Sequence, residues 1–522
     1  MSTRNFTSPR LLATAWFFCL ALTAAAQAPA PLAPGAKAAT SLTKEQVTAI
    51  AQRAFDAFHP KGFALAVVQD GEVLCELGLG ERKTGAPMTA MSLFNIASCS
   101  KAFTAALISM LTQEKRLAWD DLVAEKLPKF ALADPWITAH LTIADLLSHH
   151  CGLATFAGDL LWYGTDYTDD QVVKRMARLP ITQRFRDQFG YQNLMYLVAG
   201  MILQRITNKP FEVLVEEQLL QPLGMKDSRA CAQRLPADAE LALPHIDGIE
   251  IPDHVFNACK PAGSIYASVH DLTSFLRMLL NDGKHDGKQL LAPQQIAEMW
   301  RPHTTLGNAS GASTADFRSY GMGWFLSVEQ GKKIVEHDGG MPGFLSKVSL
   351  LPADRFAFVV LNNANDGLLN EAIRRALLTA RTGGDGYADI DRIAKAKERM
   401  HAQEQAALAA RNKQRIAGTK PSLALTAYAG RFEDAVYGPA EIEIDGEQLR
   451  ITLVPSRTRL FGTLSHWHHD TFRTDFPDRF LPFALVTFAL DANGKANRFS
   501  IDCPIADFDF GALDFRRVKA GQ

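Results

Sequence analysis

The chain has 522 residues, 47% of them hydrophobic, with 55 Lys and Arg against 56 Asp and Glu for a formal net charge of −1. So even a balance offers no basic surface to nucleic acid or to an anionic membrane, and small molecules or peptides are the fitting partners. The length calls for more than one domain, and the seven cysteines are too dispersed to form a disulfide framework.

Arg4 and Arg10, the apolar run Leu11 to Ala21 and then Ala24-Ala25-Ala26 read as a secretory signal peptide cleaved after Ala26, which predicts a periplasmic or secreted protein. Cys19 follows Trp16-Phe17-Phe18 and so lacks the small residues that precede a lipidated cysteine. Removing Arg4 and Arg10 takes the charge from −1 to −3. Residues 27–40 form an Ala/Pro-rich tether, and no later run is long enough to span a bilayer. Of the six remaining cysteines, Cys231 and Cys259 are a possible pair, with buried free thiols the simpler expectation.

The first helix is expected over Thr43 to Phe58, followed by strands Phe63 to Gln69 and Glu72 to Leu79 joined at Asp70-Gly71, a dipeptide suited to a tight hairpin. Helical periods then dominate: Ser100 to Thr112, Thr142 to Ser148, Asp170 to Arg178, Asn193 to Arg205, Pro210 to Leu220 and Val269 to Leu280. Strands return at Gly323 to Val328, Lys333 to Glu336, Leu345 to Leu351 and Phe356 to Asn362, before a helix over Leu369 to Ala380. Strands at both ends with helices between them predict one sheet built from both termini and packed by helices. A charged helix, Ile390 to Ile416, occupies the linker 384–420, and short alternating strands with turns at Asp445-Gly446 and Asn493-Gly494 predict a small antiparallel barrel or sandwich, an all-β domain over 421–522.

Chemistry concentrates at Ser98-Cys99-Ser100-Lys101. A serine hydroxyl is a poor nucleophile at neutral pH, but an amine one helical turn away, kept neutral by burial, can take its proton. Ser41-Leu42-Thr43-Lys44 has the same spacing, yet Thr43 with Gln46 reads as a capping box there, and Lys44 as solvated. Around Ser98 the neighbours Phe94, Ile96, Phe103, Leu107 and Leu111 predict a buried stripe that excludes water from Lys101. Cys99, one position on, points away from that face and is set aside as a nucleophile.

Acyl transfer also needs a proton relay and donors for the oxyanion. Tyr191-Gln192-Asn193, the only Tyr-x-Asn, precedes a helix, and His337-Asp338-Gly339-Gly340 lies between two strands, where its glycines let backbone approach a ligand. His150-Cys151-Gly152 and His285-Asp286-Gly287 imitate the last box in less suitable places. Plain structural roles are the alternative: a helix cap for Ser98, turns for Tyr191, Asn193 and His337. His466, His468, His469 and Asp470 have metal-like spacing, but Trp467 and Phe472 beside them favour ordinary barrel packing, so no metal or other cofactor is expected.

Ser-x-x-Lys, Tyr-x-Asn and a late glycine box in this order resemble the class C β-lactamase, D-alanyl-D-alanine carboxypeptidase and D-aminopeptidase family of β-lactamase-related serine hydrolases. The resemblance extends to Leu146-Leu147-Ser148-His149, Pro222-Leu223-Gly224-Met225 and Tyr320-Gly321-Met322-Gly323-Trp324, and residues 421–522 are similar to the lipocalin-like domain of some D-aminopeptidase relatives. It implies an α+β, β-lactamase/transpeptidase-like domain over 41–383 with an antiparallel sheet flanked by helices, acylation of Ser98, Lys101 as its base or as the group that keeps the site poised, Tyr191 as proton shuttle, Asn193 on the substrate amide, and backbone amides of Ser98 and Gly340 as oxyanion donors. His337, with Gly339 beside it, stands where β-lactamases carry lysine, which implies that a fixed positive charge for a β-lactam carboxylate is lost or becomes pH-dependent, with Asp338 adding a negative charge beside it, and that antibiotic hydrolysis is poor. The expected activity is hydrolysis of peptide-like amides or esters: a D-amino-acid peptide, a muropeptide or a small ester. A slow penicillin-binding sensor or a weak β-lactamase is the alternative, while an α/β-hydrolase is discounted for want of a Gly-x-Ser-x-Gly elbow. The barrel is expected to act on substrate access or assembly.

Overall fold

The computed structural model describes residues 40–307, 317–329 and 331–519. The expected signal peptide and all of the tether except Thr40 lie outside the described residues. Among the described residues no helix is long and apolar enough to cross a membrane.

One antiparallel sheet of nine strands is ordered Thr304–Thr305, Arg318–Tyr320, Phe325–Glu329, Lys332–Met341, Phe344–Leu351, Phe356–Asn362, Gly62–Gln69, Glu72–Lys83 and Ala86–Pro87. The N-terminal hairpin thus completes a sheet begun by the later strands, with Phe63 opposite Asn362 and Val67 opposite Phe358. Asp70 and Gly71 both take positive φ, 56° and 87°, as the tight turn between its strands requires.

Period-two alternation along Gly62–Gln69 divides the core. Leu65 and Val67 pack with Val47, Ile50 and Ile373 on one face, and Ala64, Ala66 and Val68 with Phe103, Phe275 and Leu276 on the other. With both faces covered, the strand reads as one apolar run. The first outer helix, Lys44–Phe58, starts at a capping box in which Thr43 and Gln46 exchange side-chain and backbone hydrogen bonds, as expected.

The helix Ser100–Gln113 has no exposed face along Ser100 to Ser109, so it is a buried axis and not the amphipathic helix its stripe suggests. A second difference concerns the glycine box. The strand Lys332–Met341 continues through it, pairing Gly339 with Ser346 and Gly340 with Leu345, so the box is part of the sheet and not a loop between two strands.

The helix Tyr387–Lys413 buries Ile390, Ile393 and Ala396 against the first unit and then runs exposed over residues 401–410. Beyond it, eight antiparallel strands from Gly430–Asp434 to Phe515–Arg517 close into a barrel through the pairing of Phe432 with Arg517. Its interior is filled by aromatic rings, Phe499 lying 4.9 Å from Phe432 and 4.7 Å from Phe515. At the histidine cluster Asp470 accepts from Ser422 and Tyr428, and the Nε2 of His466 meets the carbonyl of His469. All six cysteines among the described residues are buried free thiols, Cys231 and Cys259 included.

The barrel docks on the segment 159–178. Tyr163 donates to Asp478 at 2.7 Å, Tyr167 to the Tyr437 carbonyl at 3.1 Å and Arg175 to the Val436 carbonyl at 2.9 Å. Arg459 pairs with Asp478 at 3.2 Å and reaches back to the Asp253 carbonyl.

Candidate active site

Ser98 lies in a 3₁₀ turn, Ala97–Cys99, which leads into the helix at Ser100. Ala97 is held at φ +46°, a conformation that costs a non-glycine residue energy, while its N–H donates to Asn95 Oδ1 at 2.7 Å. That bend leaves Ser98 half-buried, facing a cleft, and keeps Lys101 one turn away.

Lys101 is fully buried, and its Nζ donates to Asn193 Oδ1 at 2.7 Å, to the Ala262 carbonyl at 2.8 Å and to Ser98 Oγ at 3.0 Å. Burial pulls its pKa down to about 7, while Cys259, Asp159 and Cys99 act in the opposite sense. In the neutral amine only two N–H groups remain, and two fixed carbonyl acceptors claim them. The lone pair of the tetrahedral nitrogen is then left for the Ser98 hydroxyl, the arrangement a general base needs.

Tyr191 is buried beside this pair, with Lys101 Nζ 4.8 Å from its ring centre. Burial raises its pKa well above the usual phenol value, and its hydroxyl contact with Ser98 offsets this only in part. The phenol therefore keeps its proton at neutral pH and is available as a donor. Asn193 opens its helix with its amide committed at both ends: Oδ1 accepts from Lys101, and Nδ2 donates to Asp159 Oδ2 at 2.6 Å.

The glycine strand passes so near the Ser98 turn that a Cβ on Gly339 would sit 2.3 Å from the Ile96 carbonyl and 3.0 Å from the Ser98 N–H, so only glycine fits. Gly340 lines the cleft with Ser98. His337 departs from the expectation of a charge for the substrate. It is buried, its Nε2 meets Tyr320 Oη at 2.8 Å, and burial with the nearby Lys101 lowers its pKa to about 3. A neutral imidazole turned into the protein cannot recognise an anion. Asp338, on the opposite strand face, pairs with Lys347 at 2.6 Å and adds no free charge.

A second Ser/His/Asp set is discounted by geometry. Asp145 and Ser148 both meet Nε2 of His150, at 2.6 and 3.1 Å, whereas a relay needs acid and hydroxyl on opposite ring nitrogens.

The cleft at Ser98 holds about 560 Å³, part of it open to solvent. Its walls include Trp162 and Tyr163 from the segment the barrel docks on, and Phe480, Asp507 and Phe508 from the barrel itself. The aromatic walls surround two carboxylates, Asp159 and Asp507, each raised to about 7 chiefly by burial. Asp159 also accepts from Trp162 Nε1 at 2.9 Å, whereas Asp507 has no ion-pair partner among the described residues. No Lys, Arg or His lines the cleft among the described residues.

Sequence reasoning missed Asp159, Ala262 and Asp507. The first two carry no motif; an aspartate among apolar neighbours, Ile505-Ala506-Asp507-Phe508, was the one signal for the third.

Such a fold and such a serine–lysine pair define a β-lactamase-type domain. A family model described as Beta-lactamase matches residues 51–382, and the chain belongs to that family; a model described as a domain of unknown function, DUF3471, matches residues 414–517. Among characterised sequences, the chain is 28% identical over 332 residues to unguisins hydrolase ungD′ of Aspergillus campestris, covering 60% of each chain. It is 30% identical over 334 residues to penicillin-binding protein 4 of Amycolatopsis lactamdurans, covering 60% of this chain and 84% of that one. The match thus spans about 60% of the length of the two unguisins hydrolases. Among solved structures, the octameric penicillin-binding protein homologue from Pyrococcus abyssi superposes with a TM-score of 0.58 at 17% identity over 90% of this chain and 99% of that one. D-amino acid amidase from Ochrobactrum anthropi SV3 gives 0.53 at 22% over 68% and 99%. These two likenesses concern the fold alone.

Proposed function

We propose that the protein is an exported serine hydrolase that cleaves peptide-like amides or esters through an acyl-enzyme on Ser98, and that it favours substrates carrying a free amino group. The observation that carries the chemistry is the buried Lys101 Nζ, held by two carbonyl acceptors with Ser98 Oγ at 3.0 Å. In the acylation step Lys101 takes the Ser98 proton as Oγ forms the bond to the substrate carbonyl carbon. The oxyanion faces the N–H groups of Ser98 and Gly340, and the Tyr191 phenol passes its proton to the leaving amine or alcohol and regains one from the Lys101 ammonium, which leaves Lys101 neutral again. Water then repeats the sequence on the ester, releasing the acid and restoring the Ser98 hydroxyl.

The preference for an amine follows from the cleft's charge. Two carboxylates and several aromatic faces suit an ammonium, and the want of a lining cation among the described residues disfavours a substrate carboxylate. The same argument disfavours β-lactams and peptides bound through a free C-terminus. Export rests on Arg4, Arg10 and the apolar run to Ala21, and a mature secreted chain beginning at Gln27 is the expected product.

The test is intact-mass detection of a covalent adduct after exposure to a fluorophosphonate, with hydrolysis of matched amides that differ only in a free or acetylated amino group. An adduct on wild type that is absent from Ser98→Ala, with faster cleavage of the free-amine member, supports the proposal. Equal labelling of Ser98→Ala overturns the mechanism, and faster cleavage of the acetylated member overturns the specificity.

A further inference from the structure

The hydrogen-bond chain behind the nucleophile has a directional requirement. Lys101 as an ammonium can only donate, so it needs the oxygen of the Asn193 amide; that places Nδ2 on the far side, where it needs an acceptor. Asp159 supplies one at 2.6 Å. Its other oxygen accepts from Trp162 Nε1 at 2.9 Å, so above a pH of about 7, where Asp159 is ionised, the carboxylate faces two donors and has no proton to give back. Asp159 is itself fixed by a 3₁₀ turn that follows Gly158 at φ +85°, where a Cβ would lie 2.5 Å from Leu179 and 2.7 Å from Leu194.

Resting on the reading of Ser98 and Lys101 as nucleophile and base, we infer that Asp159 is a positioning residue: it locks the Asn193 amide in the one orientation that leaves the Lys101 lone pair facing Ser98. An amide rotated by half a turn points Nδ2–H at Lys101. With a neutral amine that N–H donates into the lone pair and occupies the base. An acceptor-only partner at 159 forbids the rotation, because the rotated amide sets its oxygen against a carboxylate oxygen.

The isosteric change Asp159→Asn removes the prohibition without altering shape. The new side chain can accept from Trp162 through its oxygen and donate its NH₂ to the rotated Asn193 oxygen, so every group behind the base is satisfied in the inactive orientation. Restoring a carboxylate one step along the chain reverses this. In Asp159→Asn/Asn193→Asp, residue 193 accepts from both Lys101 and residue 159 and has no N–H to turn toward the base.

The experiment measures the rate of fluorophosphonate labelling and its half-saturating concentration for wild type, Asp159→Asn and the double variant, each across a pH series to its own plateau, because the carboxylate introduced at position 193 moves the lysine titration of the double variant upward. The expected result is a fall of about 10- to 100-fold in the maximal labelling rate of Asp159→Asn. Its half-saturating concentration should be unchanged, and at least most of the rate should return in the double variant. A single variant that labels at the wild-type rate overturns the inference, and so does a loss that the second substitution fails to restore, because that loss would run through Trp162 packing or the cleft wall. Wild type that does not label overturns the reading of Ser98 itself, which is a separate result.

Discussion

The two sides of the cleft are built by different means. On the nucleophile side, Ser98 and Lys101 are three residues apart on one helical path, and the glycine strand beside them is held by sheet register at contact distance. On the recognition side, Trp162 and Tyr163 come from an irregular segment, and Phe480, Asp507 and Phe508 come from a barrel more than three hundred residues later in the chain. The serine–lysine pair is thus placed by local geometry, whereas the opposite wall of the cleft depends on how the barrel seats against the first unit. The barrel thus contributes side chains directly to the wall of the cleft.

Lys101 gives the largest predicted effect on that contrast. Lys101→Met, close in length and unable to accept a proton, should lower the fluorophosphonate labelling rate by about 10²- to 10⁴-fold, the usual worth of a general base. In wild type the rate should rise with pH through about 7, because the neutral amine is the active form and burial has lowered its pKa to that value. The variant should lose this limb. A limb that persists would assign the base role to another group.

Asp507 probes the other side, with a smaller effect confined to recognition. Asp507→Asn should reduce the preference for a free-amine substrate over its acetylated counterpart by about 10- to 100-fold, the range of a charge-assisted hydrogen bond, and leave labelling by a neutral fluorophosphonate unchanged. In wild type the same preference should increase as pH rises through about 7, since Asp507 titrates there and only its carboxylate attracts an ammonium. Taking the ratio of two substrates cancels the Lys101 limb. A preference independent of pH and of Asp507 would show that the barrel wall has no part in specificity.

The same division governs what could be read from the sequence. The hairpin at Asp70-Gly71 and the buried strand Gly62–Gln69 are legible because turn chemistry and period-two burial are local. Ser98 with Lys101 is legible because one helical turn fixes their separation. His337 is misread because its role depends on which face of a strand it occupies: the strand continues through the box and turns the imidazole toward Tyr320. Asp159 and Ala262 are invisible because each meets Lys101 or Asn193 across a large sequence separation, with no spacing to mark it.

The smallest predicted effect compares the two Ser-x-x-Lys segments directly. Spacing is identical at Ser41 and Ser98, but Lys44 is exposed on the first turn of an outer helix, where Thr43 accepts from Gln46 N–H and Gln46 Oε1 accepts from Thr43 N–H. Ser41→Ala should therefore label as wild type does. Thr43→Ala removes the cap and should cost about 1 kcal/mol, a fall of about 2 °C or less in the unfolding midpoint of a chain this large, with the labelling rate unchanged. The cap lies at the end of a helix packed on the sheet face opposite Phe103, so its loss has no short route to the nucleophile. A labelling rate that fell with Thr43→Ala would mean that this outer helix sets the position of the strand beneath it and, through the sheet, of Gly340, and the nucleophile side would then depend on distant packing as much as the recognition side does.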